Sequence, residues 1–245
     1  MKKIIVILIN ILFCTKLFAV DPVAIIKKAE NMYKGETSKG IFTMIVKTPE
    51  YERTVKMQSW NDGNDKALIV TLEPKKEAGN KLLKINKELW SYLKNTETTM
   101  KLPSSMMLQS WNGSDLTYDD MVRESDLVDD YELKYLLDEK IAGELCWKFE
   151  LKPRPDAPVV WNNIYYWIRQ VDNLPAMMQF YDEKGQKHRT MKFEDIKKIG
   201  GRTIPTVWTI INNKKEGNVT KFIYNEVEFD IKISGRIFSF KELER

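Results

Sequence analysis

The alternation of apolar and polar residues at a period of two constrains this chain more than any other feature. Leu145, Trp147, Phe149 and Leu151 share one parity, opposed by Cys146, Lys148, Glu150 and Lys152, which is the pattern of a half-buried strand. Tyr131, Leu133, Tyr135 and Leu137 carry the same period just before it. Phe42, Met44 and Val46 alternate with Ile41, Thr43 and Ile45, so both faces are apolar there. Strands are also expected at 82–85, 89–93, 164–170, 176–181, 187–195, 203–211, 219–224 and 227–233. Asn61-Asp62-Gly63-Asn64, Asn86-Lys87-Glu88 and Asp182-Glu183-Lys184-Gly185 supply turns between them. Runs at this spacing build an antiparallel meander rather than βαβ units. Ahead of them, Asp21 and Pro22 start a helix that Gly35 ends. Its apolar stripe of Val23, Ile26 and Tyr33 suits the surface of a sheet.

Between Thr98 and Tyr131 the alternation stops. Met100, Met106, Met107 and Met121 cluster there with Leu108, Trp111 and Leu116. Methionine is unbranched and polarisable, so such a cluster forms an apolar surface that repacks around different shapes. A loop of about 30 residues in a β protein is rarely a mere connection. Two readings stay open: a lid over an apolar cavity, or a plug closing the end of a sheet. Thr117 and Asp120 form a capping box with the shorter acid, and Leu116 and Met121 a hydrophobic staple, so a helix is expected from Tyr118. Gly113 just upstream allows a sharp bend. The acids Asp115, Asp119, Asp120, Glu124, Asp126, Asp129 and Asp130 lack EF-hand spacing and read as a solvated face.

Residues 1–19 have the form of a signal peptide: basic Lys2 and Lys3, an apolar stretch from Ile4 to Phe13, and Leu17-Phe18-Ala19 at the cleavage site. That apolar run falls well short of the ~20 residues that span a bilayer. Lys2, Lys3 and Lys16 leave with it, so the net charge drops from +4 to +1, with 36 basic residues against 35 acidic. A nucleic-acid partner then loses its electrostatic support. Cys14 leaves too, and Cys146 alone forms no intramolecular disulfide. The remaining chain, 20–245, of about 226 residues suits one exported all-β or α+β domain, with two domains the alternative.

The reactive inventory is thin. His188 lies in a charged stretch after a turn and reads as a solvated surface histidine. Cys146 stands on the polar parity beside Glu144 and Glu150, which disfavours a thiolate. No zinc spacing, P-loop or dinucleotide fingerprint occurs, so neither a cofactor, nor a metal, nor an enzymatic activity is expected. The tryptophans point elsewhere. Trp60, Trp90, Trp111, Trp147, Trp161, Trp167 and Trp208 are spread through strands and insert. With apolar residues on both parities of several strands, they describe a sheet curled around something apolar, which is a container.

Ser110 to Met121 (SWNGSDLTYDDM) resembles the signature of the LolA-like outer-membrane lipoprotein-sorting proteins. Supporting segments are WNDGNDKALIVTLEPKKEAG from Trp60, LLKINKELWSYL from Leu82 and MKLP from Met100. FYDEKG from Phe180 and IFSFKELE from Ile237 follow in the family's order over nearly the whole exported chain. The resemblance implies a mainly β (α+β) fold, a curved antiparallel sheet forming an incomplete barrel closed by the N-terminal helix and the helical lid. It implies a periplasmic carrier that shelters the acyl chains of a lipid or lipoprotein, working as a monomer between an inner-membrane exporter and an outer-membrane acceptor. Expected ligand contacts are Met106, Met107, Leu108, Trp111, Leu116 and Met121 from the lid, and Phe42, Met44, Trp147 and Phe149 from the strands. Arg53, on an early strand, is the candidate for the barrel arginine of the founding carrier. The alternative is an exported acyl-chain sensor acting through a membrane partner. An enzyme acting on envelope lipids is a third class with no residue set to carry it.

Overall fold

The computed structural model describes residues 20–123 and 127–245. The expected signal peptide over 1–19, Cys14, and the acids Glu124 and Asp126 lie outside the described residues. Asp21 caps helix α1 (Pro22–Lys34), its carboxylate accepting from the Val23 and Ala24 amides, and Gly35 ends it at φ 69°. Its buried stripe is Ile26, Ala29, Glu30 and Tyr33. Val23, expected in that stripe, is 41% exposed, because α1 rests on strands along one narrow line.

The strands follow in chain order. They are β1 (Thr37–Lys47), β2 (Glu52–Asp62), β3 (Lys66–Glu73), β4 (Lys81–Ile85), β5 (Glu88–Leu93) and β6 (Thr98–Lys101), then β7 (Tyr131–Ile141), β8 (Glu144–Pro153) and β9 (Asn163–Arg169). The last are β10 (Pro175–Tyr181), β11 (Lys187–Ile199), β12 (Arg202–Asn212) and β13 (Val219–Phe229). All belong to one antiparallel sheet of 13 strands in the order β6-β5-β4-β3-β2-β1-β13-β12-β11-β10-β9-β8-β7. Two meanders are thus joined by the long-range pairing of β1 with β13. Gly40 permits that pairing. A Cβ there would stand 2.8 Å from the Glu226 carbonyl oxygen, so only glycine admits the neighbouring strand.

The sheet does not close, and β6 and β7 are its edges. The chain crosses from one edge to the other through residues 102–130, which hold α2 (Tyr118–Arg123) and α3 (Leu127–Asp130). Residues 98–101, expected within the irregular insert, instead form the edge strand β6 against β5. The two strands expected at 219–224 and 227–233 are one strand, β13, which passes Asn225 as a bulge opposite Ile41 and Phe42. It ends where Asp230 turns to φ 55°, its carboxylate accepting from the Glu36 amide and pairing with Arg202.

Concave-face residues from all parts of the sheet meet in one core, among them Met44, Met57, Phe149, Tyr166, Ile168 and Ile210. A second cluster forms on the convex face, where Leu68, Leu83 and Tyr92 are covered by Phe238 and by Leu243 of the C-terminal helix α4 (Phe240–Glu244). This explains the apolar residues on both parities of β3 and β4. Ile69 and Leu82 face the main core while their neighbours Leu68 and Leu83 face the second.

Candidate functional site

A cavity of about 260 Å³ lies between the concave face, α1 and the 102–130 cover, larger than the ~150 Å³ apolar void that admits a benzene ring. Phe42, Ile69, Leu82 and Leu89 line it from one limb of the sheet. Met178, Phe180, Met191, Phe193, Trp208 and Phe222 line it from the other. Trp111, Leu116 and Met121 close it from the cover.

The local sequence of the cover shapes this face. Asn112 and Gly113 adopt φ 51° and 73°, turning the chain back so that the Trp111 amide donates to the Leu116 carbonyl at 2.8 Å. The capping box then starts α2: Asp120 Oδ2 accepts from the Thr117 amide at 2.7 Å, and the Asp120 amide donates to Thr117 Oγ1 at 3.2 Å. Leu116 and Met121, placed on one side by this start, both reach the cavity wall. Trp111 is buried and stacks on Phe222, so the cover both packs into the core and borders the cavity.

Cations from separate strands hold the cover down. Arg53 of β2 donates to the Asn112 carbonyl at 2.9 Å and pairs with Glu77. Arg189 of β11, 5% exposed, meets both carboxylate oxygens of Asp120 at 2.7 and 2.6 Å, a bidentate geometry that the guanidinium favours. Lys84 of β4, also buried, donates from Nζ to the Val122 carbonyl at 2.7 Å. Thr220 and Asn212 hold Asp115, at 2.9 and 3.0 Å.

The acids of the cover are therefore not simply a solvated face. Asp120 is enclosed with its arginine, and Asp115 is fixed by two strands, because the sheet supplies partners that the local sequence does not show. Burial pushes the Asp120 carboxyl up, but the charge and hydrogen bonds of Arg189, with those of Thr117, outweigh it and hold the group below the usual carboxylate range. Burial raises the neighbouring Tyr118 phenol. Arg189 also lies over Phe180 and Trp161, 4.2 and 4.8 Å from the ring centroids. Its Nε and the Trp208 Nε1 are buried donors without a hydrogen-bond partner among the described residues, and both side chains line the cavity.

Of the sequence-predicted contacts, Phe42, Trp111, Leu116 and Met121 stand on the cavity wall. Met44 and Phe149 are fully buried in the core beyond that wall, and Trp147, Met106 and Met107 pack partly buried against it. Leu108 is 64% exposed. Arg53 braces the cover without lining the cavity. Sequence reasoning passed over Arg189 and Lys84. Each had a signal, a cation on the apolar parity of its strand: Arg189 with Met191 and Phe193, Lys84 with Leu82. Cys146 does face the polar side of β8 but is fully buried, which pushes its thiol up. His188 keeps a solvent-accessible side chain, 38% exposed, that also lies 2.8 Å from Asp182 and beside the Trp161 ring. Neither lines the cavity. Among the described residues no group of three or more His, Cys, Asp or Glu side chains could hold a metal, and no helix is long and apolar enough to cross a membrane.

A family model described as "Uncharacterized protein" matches residues 63–245. No curated protein matches the chain. Among solved structures, a DUF1329 family protein from Desulfovibrio piger is similar at TM-score 0.83 and 21% identity, covering 91% of this chain and 100% of its own. An outer membrane lipoprotein-sorting protein domain from Vibrio parahaemolyticus is similar at TM-score 0.79 and 20% identity, over 91% and 98% of the two chains. A LolA superfamily protein from Nitrosomonas europaea is similar at TM-score 0.77 and 21% identity, over 91% and 100%. At these identities the likeness establishes the fold alone: the unclosed antiparallel sheet expected from the sequence.

Proposed function

We propose that this chain, which belongs to the uncharacterized-protein family matched over residues 63–245, is a non-enzymatic periplasmic carrier that shelters acyl chains and hands them between envelope components. One observation carries the reading. An apolar cavity on the concave face is roofed by a segment that joins the two sheet edges and is fastened by a few polar bonds.

The energetics suit the task. Each CH₂ moved from water to an apolar site is worth ~0.8 kcal/mol, so a sixteen-carbon chain carries roughly 12 kcal/mol. A carrier supplies nearly all of that shelter and returns it at delivery. A roof that swings on latches does this without breaking the ladder of the sheet, whose strands pair with one another independently of residues 102–130. The solved relatives that share the fold include one named for outer membrane lipoprotein sorting, which favours acyl chains of envelope lipids or lipoproteins as the cargo. An inner-membrane donor and an outer-membrane acceptor complete the route.

Native mass spectrometry of protein purified from envelopes tests the binding. A co-purifying lipid is expected, and a protein that comes empty and takes no acyl probe overturns the reading. Transfer of labelled lipid to acceptor vesicles then separates a carrier from a sensor, which holds its ligand.

A further inference from the structure

We propose that the amphiphile taken by this cavity is anionic, its headgroup displacing the Asp120 carboxylate from Arg189 as the cover opens. The inference rests on the carrier reading and names its cargo class. Arg189 is a buried cation beside the apolar wall residues Phe180 and Met191, and among the described residues its guanidinium donates to the cover, to Asp120 Oδ1 and Oδ2 and to the Asp115 carbonyl. If the cover lifts, the guanidinium keeps its place in the wall but loses its counter-charge. Leaving a buried charge unpaired is strongly unfavourable. A neutral chain entering the cavity does nothing to offset that loss, whereas a carboxylate or phosphate headgroup matches the same planar fork.

The distribution of charge around the cavity points the same way. Among the described residues, the charged side chains that the cover contributes to the lining are the acids Asp119, Asp120 and Asp130. The helix, strands and loops that stay behind contribute Lys34, Lys66, Lys84 and Arg189 against Glu36 alone. The cover thus acts as an internal substitute for an acidic headgroup. The partnerless Nε of Arg189 offers a further donor to a headgroup that presents more oxygens than Asp120 does. A ligand that binds the open form better than the closed one shifts the population toward it, so an oxyanion headgroup unlatches the cover as it binds.

Competition against a neutral fluorescent acyl probe tests this on the purified protein. The competitors are hexadecanoic acid, hexadecyl phosphate, hexadecanol and inorganic phosphate. The acid, the phosphate ester or both should compete at least about tenfold better than the alcohol, and comparing the two identifies the headgroup. Asp120→Asn removes the internal competitor and should raise that ratio. The double variant Arg189→Met with Asp120→Asn removes both charges together and should bring the ratio to near one. Equal competition by all three chains in the wild type, or a ratio that survives the double variant, overturns the anionic headgroup and leaves the carrier reading intact. Displacement by inorganic phosphate alone would show a free-anion site and also overturn it. Failure of the probe and every chain to bind would defeat the carrier reading itself.

Discussion

The Trp111 indole lies parallel to the Phe222 ring, with 6.2 Å between centroids and 3° between planes. This one stack ties the cover to β13, near the long-range joint between the two meanders. Trp111→Ala should therefore lower both stability and acyl-chain affinity. Truncating a buried aromatic costs ~3–5 kcal/mol. Leu108→Ser, on an exposed side chain, should change neither by a measurable amount. Chemical denaturation and acyl-probe titration of both variants check the pair of outcomes.

Phe149→Ala makes the opposite case. Phe149 is fully buried among core residues and does not line the cavity. The variant should lose about 3–5 kcal/mol of stability while its folded fraction binds within a few-fold of the wild type. A loss of affinity matching that of Trp111→Ala would place the ligand deeper in the core than the cavity wall.

Arg189→Met should destabilise by about 3–5 kcal/mol, because it leaves the enclosed Asp120 carboxylate without a partner. Adding Asp120→Asn should recover much of that loss. A double-mutant cycle on unfolding free energies measures the coupling, and additive losses would show the two residues to be energetically independent.

The same pair sets a pH dependence whose sign follows from the depressed Asp120 carboxyl. The unfolded chain takes up the proton first, near ~3.9 for an unperturbed Asp. The stabilisation is therefore fully present above that value and is lost as pH falls through the lower folded value. Thermal unfolding should show the pair's contribution unchanged from neutral pH to about 5 and falling below about 4. Asp120→Asn should flatten part of that acid loss. Part-buried Asp182 and exposed Asp195 and Asp230 are also depressed, so the comparison with the variant isolates the latch.

Lys84→Met should loosen the cover without unfolding the sheet. It removes the donor to the Val122 carbonyl in the last turn of α2 while keeping the apolar stem. Hydrogen exchange is expected to accelerate for amides within Tyr118–Arg123 and to stay unchanged in β4. Equal acceleration in both would mean that Lys84 supports the strand rather than the cover.

Features read correctly from the sequence are those whose causes are local. The Asp21 cap, Pro22 and Gly35 bound α1, and Thr117 with Asp120 starts α2, because each device acts within a few residues. The alternating strands and their antiparallel, unclosed arrangement followed from periodicity, turn spacing and family likeness. The tertiary structure alone decided which residues meet across the sheet. Asp120 reads as one of several surface acids until β11 brings Arg189 against it from 69 positions away. Met44 and Phe149 share the apolar parity of cavity residues, yet strand position around the curve puts them behind the wall. Parity chooses a face of a strand, and only the closing of long loops into one curved sheet chooses what that face meets.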